Sequence, residues 1–241
     1  MRVATANLQL GNSRPADAAR RLGGLDLDLL LVLEWTGSNL DLEAMRRRSL
    51  VPVLDAPHPG THGILVLVRA SMDVTAAVVP SPVEGPCAMP LAAVRIPHPE
   101  TSFSVLGVHP PPPIAVCRDT TEPTVRAISS WINDGRLIVD VGPARSGDPV
   151  VVLGDFNQLP YLGSWRLLRS RGLVDTYAAS RRRPGPTWSP TRYLPAFARI
   201  DYVFAPSWFR PLDSWNLRLP GSDHRAVMTE LEIPTGGSGD G

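Results

Sequence analysis

Short apolar runs separated by Gly, Pro and Asp recur from end to end of the chain, predicting many strands with a few interposed helices. Val3–Leu10 alternates as a strand. Ser13 is placed to cap a following helix, which carries Pro15 in its first turn and stops at Gly23–Gly24. LDLLLVLEW (Leu27–Trp35) is almost continuously apolar, the pattern of a strand buried on both faces. A short helix is expected over Leu40–Arg48, then strands over Gly63–Ala70, Val74–Val79, Leu91–Ile96 and Ser102–His109. Val125, Ile128, Trp131 and Ile132 stand near helical spacing within 122–133. After VVVL (Val150–Leu153) come a predicted helix at Ser164–Arg171 and a strand at RIDYVFA (Arg199–Ala205). Two more strands are expected near Trp215–Leu219 and Ala226–Ile233.

That order gives an α/β or α+β class with layered sheets and no repeat of fixed period. A chain of 241 residues, 43% of them hydrophobic, suits one domain with a sizeable core, expected over residues 1–234. TGGSGDG at 235–241 reads as a disordered tail. A net charge of +1 advertises no global positive field toward nucleic acid. All 24 basic residues are arginine; codon usage is the plain reading, although Arg also suits planar phosphate recognition. Cys87 and Cys117 show no zinc spacing; two free thiols in a reducing compartment is the simpler expectation, a bridge the alternative. With no apolar run of membrane-spanning length and no leader pattern at MRVATANLQL, the expectation is a cytoplasmic monomer without a membrane span.

The chemistry sits where apolar runs end. In VVVLGDFNQLP, Asp155 and Asn157 leave the backbone on one side after a buried strand, and Gly154 permits a turn or a close approach. Alone, this could be an ordinary turn with side chains capping the backbone. Other strand ends shift the balance: Asn7 in the first strand, Glu34 closing LLLVLE, His109 closing FSVLGVH, Asp201 inside RIDYVF, and Asp223–His224 ahead of the last strand. Burying any one of these costs several kcal/mol unless it is paired or bound to an ion. Together they predict a shared polar floor whose hard oxygen donors suit Mg²⁺ or Mn²⁺ better than zinc.

The set TAN, LVLEW, GVH, GDFN, RIDYVF and SDH, in this order over nearly the whole chain, resembles the endonuclease/exonuclease/phosphatase superfamily, the deoxyribonuclease I-like fold. The resemblance implies a four-layer αββα sandwich of two packed mixed β-sheets with the site at one edge. It implies Glu34 as the main metal ligand, assisted by Asn7 and Asp223. Asp155 would orient or deprotonate water, and Asn157 would hold the phosphate or that water. Asp201 would fix His224 against a phosphate oxygen, with His109 opposite. Trp188, in GPTW, would border the site. The chain departs from many nucleases of this superfamily in PHPGTHG (Pro57–Gly63), which lacks their Tyr or acidic residue; His62 stands near that place and reads either as a substitute or as a surface histidine. The run Arg181–Arg183, with Arg182 at its centre, reads as a solvated loop or as contacts to substrate phosphate.

The leading expectation is therefore a metal-dependent phosphoesterase acting on a phosphomonoester, diphosphate or phosphodiester, small-molecule or lipid-linked. A nuclease with a basic groove built from Arg181–Arg183 and Arg192 is the second reading. A catalytically silent binding module that keeps the fold is the third.

Overall fold

Why LLLVL is apolar at every position is answered by what covers its two faces. In the computed structural model, which describes residues 1–98, 102–134, 148–181 and 184–234, strand β2 (Leu29–Leu33) lies in the middle of a sheet. Leu29, Leu31 and Leu33 enter the core between the two sheets, while Leu30 and Val32 pack with Ala18, Leu22 and Met45 of the covering helices α1 (Pro15–Gly23) and α2 (Leu42–Arg46). Strand β8 (Val150–Asp155) repeats the arrangement on the other side. Val151 and Leu153 face the inter-sheet core; Val150 and Val152 pack with Val125 and Ile128 of α3 (Thr121–Asp134) and Leu168 of α4 (Gly163–Ser170). Each such side chain contributes about 1.5–3 kcal/mol on burial. The layers are thus helix, sheet, sheet, helix.

The remaining strands are β1 (Arg2–Asn7), β3 (Leu50–Ala56), β4 (Ile64–Arg69), β5 (Thr75–Val79), β6 (Leu91–Ile96), β7 (Phe103–Val108), β9 (Leu173–Asp175), β10 (Asp201–Pro206), β11 (Arg210–Arg218) and β12 (Arg225–Glu232). One six-stranded sheet runs β11-β12-β1-β2-β4-β3 and the other β5-β6-β7-β8-β10-β9. β1–β2 and β7–β8 are parallel pairs, each joined across a helix, and every other pairing is antiparallel. Both sheets are therefore mixed. The parallel pairs send the C-terminal ends of β1, β2, β7 and β8 to one edge, and the antiparallel neighbours β10 and β12 begin there.

Several expectations need correction. Ser13 is not the helix cap: Arg14 occupies that position without a side-chain cap bond, and Asn12 Oδ1 accepts from its N–H at 2.8 Å. β1 ends at Asn7, three residues early, because Gln9 takes a left-handed φ of 61°. β3 went unpredicted since Pro52 and a register shift at Pro52/Leu54 break its pattern, as suits an edge strand. β9 and the one-turn helix α5 (Thr176–Ser180) are too short to announce themselves. Cys87 and Cys117 are not free thiols but form a disulfide, 5.6 Å between Cα atoms, tying the loop before β6 to the segment after β7. With that bridge goes the cysteine-based argument for a reducing compartment. Among the described residues no helix is long and apolar enough to cross a membrane. The expected tail at 235–241 and the side chain of Trp131 lie outside the described residues.

Candidate active site

The edge where those strand ends meet collects the polar residues that interrupt the apolar runs. Asn7, last in β1, is buried and spans the two sheets: its Nδ2 donates to Glu34 Oε1 at 3.1 Å and to Asp155 Oδ2 at 3.2 Å. Glu34 follows β2 directly with φ 56°, a left-handed conformation that costs a non-glycine residue about 1–2 kcal/mol. Surrounding bonds hold it there. Asn39 Nδ2 donates to its carbonyl at 2.8 Å, and the Leu10 N–H donates to Oε2 at 2.9 Å. Gly63 lets the next turn close over it, since a Cβ there would stand 1.8 Å from the Trp35 carbonyl oxygen.

On the other sheet, Asp155 ends β8 and Asp201 opens β10 as its register partner. Both are buried. Gly154 is required between β7 and β8: its φ is 148° and a Cβ would meet the Val108 carbonyl oxygen at 1.8 Å. Asp201 Oδ2 meets His224 Nδ1 at 2.9 Å, which leaves His224 Nε2 directed toward Asp155 Oδ2 at 3.6 Å. His109 Nε2 approaches the same oxygen at 3.7 Å. Asn157, with φ 51°, donates its N–H to Asp155 Oδ1 at 2.9 Å and its Nδ2 to the Pro110 carbonyl at 2.9 Å. One amide proton and Oδ1 of Asn157 remain for a ligand. Asp223 is half-buried and lines, with His224, a cavity of about 230 Å³.

The charges do not balance. Among the described residues the buried Asp155 and Asp201 meet only the His224 imidazole as a charged partner, with Glu34 half-buried beside them, while Asp223 lines the adjoining cavity with Arg192, Arg218 and Arg225. Burial raises the Glu34 carboxyl. Burial and then the Asp201 charge push Asp155 up to about 7. For His224, burial works downward, but Asp201 and Asp155 outweigh it and lift the imidazole to about 10. His109, buried and facing the His224 charge, drops to about 3 and is neutral. Asp201 Oδ1 is buried with no hydrogen-bond partner among the described residues. Donor atoms of Asp155, Asp201 and His224 all lie within 4.8 Å of one another, a cluster that can hold a divalent cation. Excess buried carboxylate with an orphaned oxygen is the condition such an ion relieves.

All eight polar residues expected at the site are thus joined by hydrogen bonds to one another or to the loops that shape the edge, His109 through the Thr61 backbone and Asp223 through its carbonyl, which accepts from the Ser189 N–H at 3.2 Å. Trp188 is half-buried at the rim, its backbone bridged to His224 and Ala198 and its ring 5.6 Å from Phe197. Arg182 lies outside the described residues. Arg181 is not a site residue: its guanidinium pairs with Asp213 at 2.7 Å and donates to the Ser214 carbonyl at 2.7 Å on β11. His62 is half-buried rather than a surface histidine, with Nδ1 buried and unpartnered among the described residues and its ring 4.9 Å from that of His58. Three positioning residues went unread. Ser222 Oγ donates to the Asn7 carbonyl at 2.8 Å and accepts from the His224 N–H at 3.0 Å. Thr187 Oγ1 accepts from the N–H groups of Ile200 and Asp201, each at 3.1 Å. Asn39 holds the Glu34 turn. Ser two residues before His in SDH is a local turn motif that signals the first of these.

Residues 4–224 match the model of the Endonuclease/Exonuclease/phosphatase family. Among solved structures, an endonuclease/exonuclease/phosphatase family protein from Leptotrichia buccalis is similar at 16% identity and a TM-score of 0.70, covering 97% of this chain and 100% of that one. A 3' phosphatase from Neisseria bound to a product DNA hairpin gives a TM-score of 0.73 at 17% identity, with 97% and 100% covered. The mannosyl-6-phosphatase of Bacteroides thetaiotaomicron gives 0.68 at 16% identity, with the same coverage of 97% and 100%. No curated protein sequence matches the chain. At such identities the structural likeness shows the fold, the deoxyribonuclease I-like αββα sandwich.

Proposed function

Because the chain belongs to the endonuclease/exonuclease/phosphatase family, we propose that it is a Mg²⁺- or Mn²⁺-dependent phosphoesterase hydrolysing a phosphomonoester, diphosphate or phosphodiester by in-line attack of water. One observation carries the reading: a buried cluster of carboxylates with too few cations, including an Asp201 oxygen with no partner among the described residues. Glu34 is the main metal ligand, with Asn7 and Asp223 beside it. Glu34 opens the carboxylate cluster toward half-exposed space beside the buried Asp155, Asp201 and His224, where water and phosphate would complete the ion's shell. When bound, the ion neutralises charge developing on the phosphoryl oxygens.

The protein groups divide the remaining work. Asp155, near neutrality in its acidity, receives the proton of the attacking water. Asn157 orients that water or the phosphate. His224 donates from Nε2 to a phosphoryl oxygen, its direction fixed by Asp201 at Nδ1. His109, neutral and hydrogen-bonded to the Thr61 backbone, faces the phosphate from the opposite side. Trp188 borders the entrance.

The surface around the site supports a substrate with an apolar portion. Of the twelve large apolar side chains exposed among the described residues, nine stand on loops of the catalytic edge, Ile114, Val116, Leu162, Tyr193 and Phe197 among them. Isolated exposed apolar residues are ordinary, whereas such a concentration marks a contact surface. Aliphatic Ile114, Val116, Leu159 and Leu162 favour an apolar substrate portion, while Tyr161, Tyr193 and Phe197 offer faces on which a base or another flat group can stack. A panel of p-nitrophenyl phosphate, bis-p-nitrophenyl phosphate, nucleotides, a prenyl diphosphate and plasmid DNA, each with Mg²⁺, Mn²⁺ or chelator, tests the proposal. Cation-dependent release of phosphate or alcohol from at least one ester is expected. Silence across the whole panel in both metals would leave the binding-module reading in its place.

A further inference from the structure

Next to the catalytic edge, the loop before β10 and the β11–β12 turn wall two adjoining cavities of about 230 and 540 Å³. They share Arg192, Tyr193, Arg218 and Ser222, so they form one groove. Its inner part is bounded by Asp223, His224 and Arg225; its outer part reaches Arg14 and Arg21 of the α1 segment.

What marks this groove is that arginines without an acid partner gather in it. Many guanidinium groups elsewhere in the fold are spent on carboxylates, Arg2 and Arg69 on Asp26, Arg95 on Asp148, Arg181 on Asp213, Arg199 on Asp175 and Arg210 on Glu232, though not all: Arg171 Nε donates to Ser129 Oγ at 3.1 Å. In the groove only Arg14 is so paired, with Asp17. Arg192 Nη2 donates to the Tyr193 hydroxyl at 3.0 Å, Arg218 Nη2 to the Arg192 carbonyl at 3.4 Å, and Arg225 Nη1 to Asn216 Oδ1 at 3.2 Å. Among the described residues, none of these three meets an acid, and neither does Arg21. Each guanidinium carries five N–H donors, so most of their capacity is uncommitted. Like charges gathered in one groove repel one another, and the chain's net charge of +1 provides no general excess to explain the gathering. An anion in the groove relieves the repulsion, and the planar fork of arginine matches phosphate oxygens in particular.

We propose that this groove binds a second phosphate of the substrate, so that the preferred substrate carries a phosphate beyond the one that is cleaved. The inference rests on the phosphoesterase reading and names the substrate class for that site. The second phosphate is either that of a small bisphosphate or diphosphate, or the neighbouring phosphate of a nucleic-acid strand. The Arg192 guanidinium carbon lies 5.1 Å from the Tyr193 ring centroid, a cation–π contact that adds to its bond with the Tyr193 hydroxyl.

The test uses the full chain with Mn²⁺ and compares kcat/KM for three substrates: a simple alkyl phosphate, the corresponding α,ω-bisphosphate, and a short single-stranded oligonucleotide. The wild type is expected to prefer a doubly phosphorylated substrate by roughly ten- to a hundredfold, the range a lost charge-assisted hydrogen bond spans. In Arg192→Ala and Arg218→Ala that ratio should fall toward one, mainly through KM, while Arg210→Ala on the far end of β11 keeps it. Preference for the bisphosphate identifies the small-molecule source; preference for the oligonucleotide, falling steeply with salt, identifies the strand. Either result supports the groove. Equal kcat/KM for single and double phosphates in wild type and variants would overturn it and leave the phosphoesterase reading standing. A second readout is independent of turnover: thermal stabilisation by inorganic pyrophosphate without metal, present in wild type and lost in both variants. Pyrophosphate binding of that kind with no ester cleaved would keep the groove and remove the phosphoesterase reading; pyrophosphate stabilisation equal in wild type and variants would count against the groove.

Discussion

Two buried acidic sites in this fold, alike in chemistry, differ in how completely they are paired. Asp175 is fully buried, and each of its oxygens is used twice: Oδ1 accepts from Ala178 N at 3.1 Å and Arg199 Nη1 at 3.0 Å, Oδ2 from Trp165 Nε1 and Arg199 Nη2, both at 2.8 Å. One bidentate arginine matches one carboxylate, and Arg199 itself lies over the Tyr202 ring at 4.7 Å. At the site edge Asp155 and Asp201 are buried against one imidazolium with Glu34 and Asp223 half-buried nearby, and Asp201 keeps an unpartnered oxygen among the described residues. The satisfied site stabilises the fold. The unsatisfied one is held in place by the fold, through the Ser222, Thr187 and Asn39 bonds, and is completed only by what binds to it.

Substitutions that remove one carboxylate from each site sharpen the contrast. Asp155→Asn should lower turnover by about 10²–10⁴-fold on the true substrate. It should leave the melting temperature equal or higher, because it removes a crowded negative charge. A variant that keeps its rate would show that another group accepts the proton. Asp175→Asn should do the reverse, costing about 3–5 kcal/mol in urea denaturation by stranding the Arg199 charge, with metal response retained in the folded fraction. If Asp175→Asn were as stable as wild type, the claim that complete pairing marks the scaffold would fail. Reducing the Cys87–Cys117 bridge, or replacing both residues by Ser, should cost about 2–4 kcal/mol of stability, measured by the same denaturation. No loss would mean that the bridge constrains nothing the fold does not already fix. The smallest effect belongs to Arg181→Ala. Its exposed pair with Asp213 should be worth about 1 kcal/mol or less, with turnover unchanged; a fall in rate would return the arginine run to the site.

The site was legible because each of its residues breaks a pattern. Asn7, Glu34, His109, Asp155 and Asp201 stand at or beside the ends of strands whose other positions are mostly apolar, and a polar residue there is costly without a partner. The central strands were legible for the complementary reason: LLLVL and VVVL are covered on both faces and tolerate nothing else. Edges were harder. β3 carries a proline and a shifted register, and β11 begins five residues ahead of where its apolar residues suggest, with a shift at Pro211/Asp213. Pairing was hardest, because it is tertiary. Nothing local to Arg181, Arg192 or Arg199 says that the first is spent on a surface acid, the second left in a groove and the third buried against Asp175. Two cysteines 30 residues apart likewise do not declare a bridge.

The account stands on the surplus of negative charge at the catalytic edge being completed by a hard dication. The direct measurement is thermal unfolding under Mn²⁺ titration, wild type against Glu34→Ala. The account predicts saturable stabilisation of the wild type, about 2.7 kcal/mol once the free ion reaches a hundred times its Kd, and its loss in the variant. No cation-dependent shift in the wild type at millimolar Mn²⁺, or an equal shift in both proteins, would contradict it.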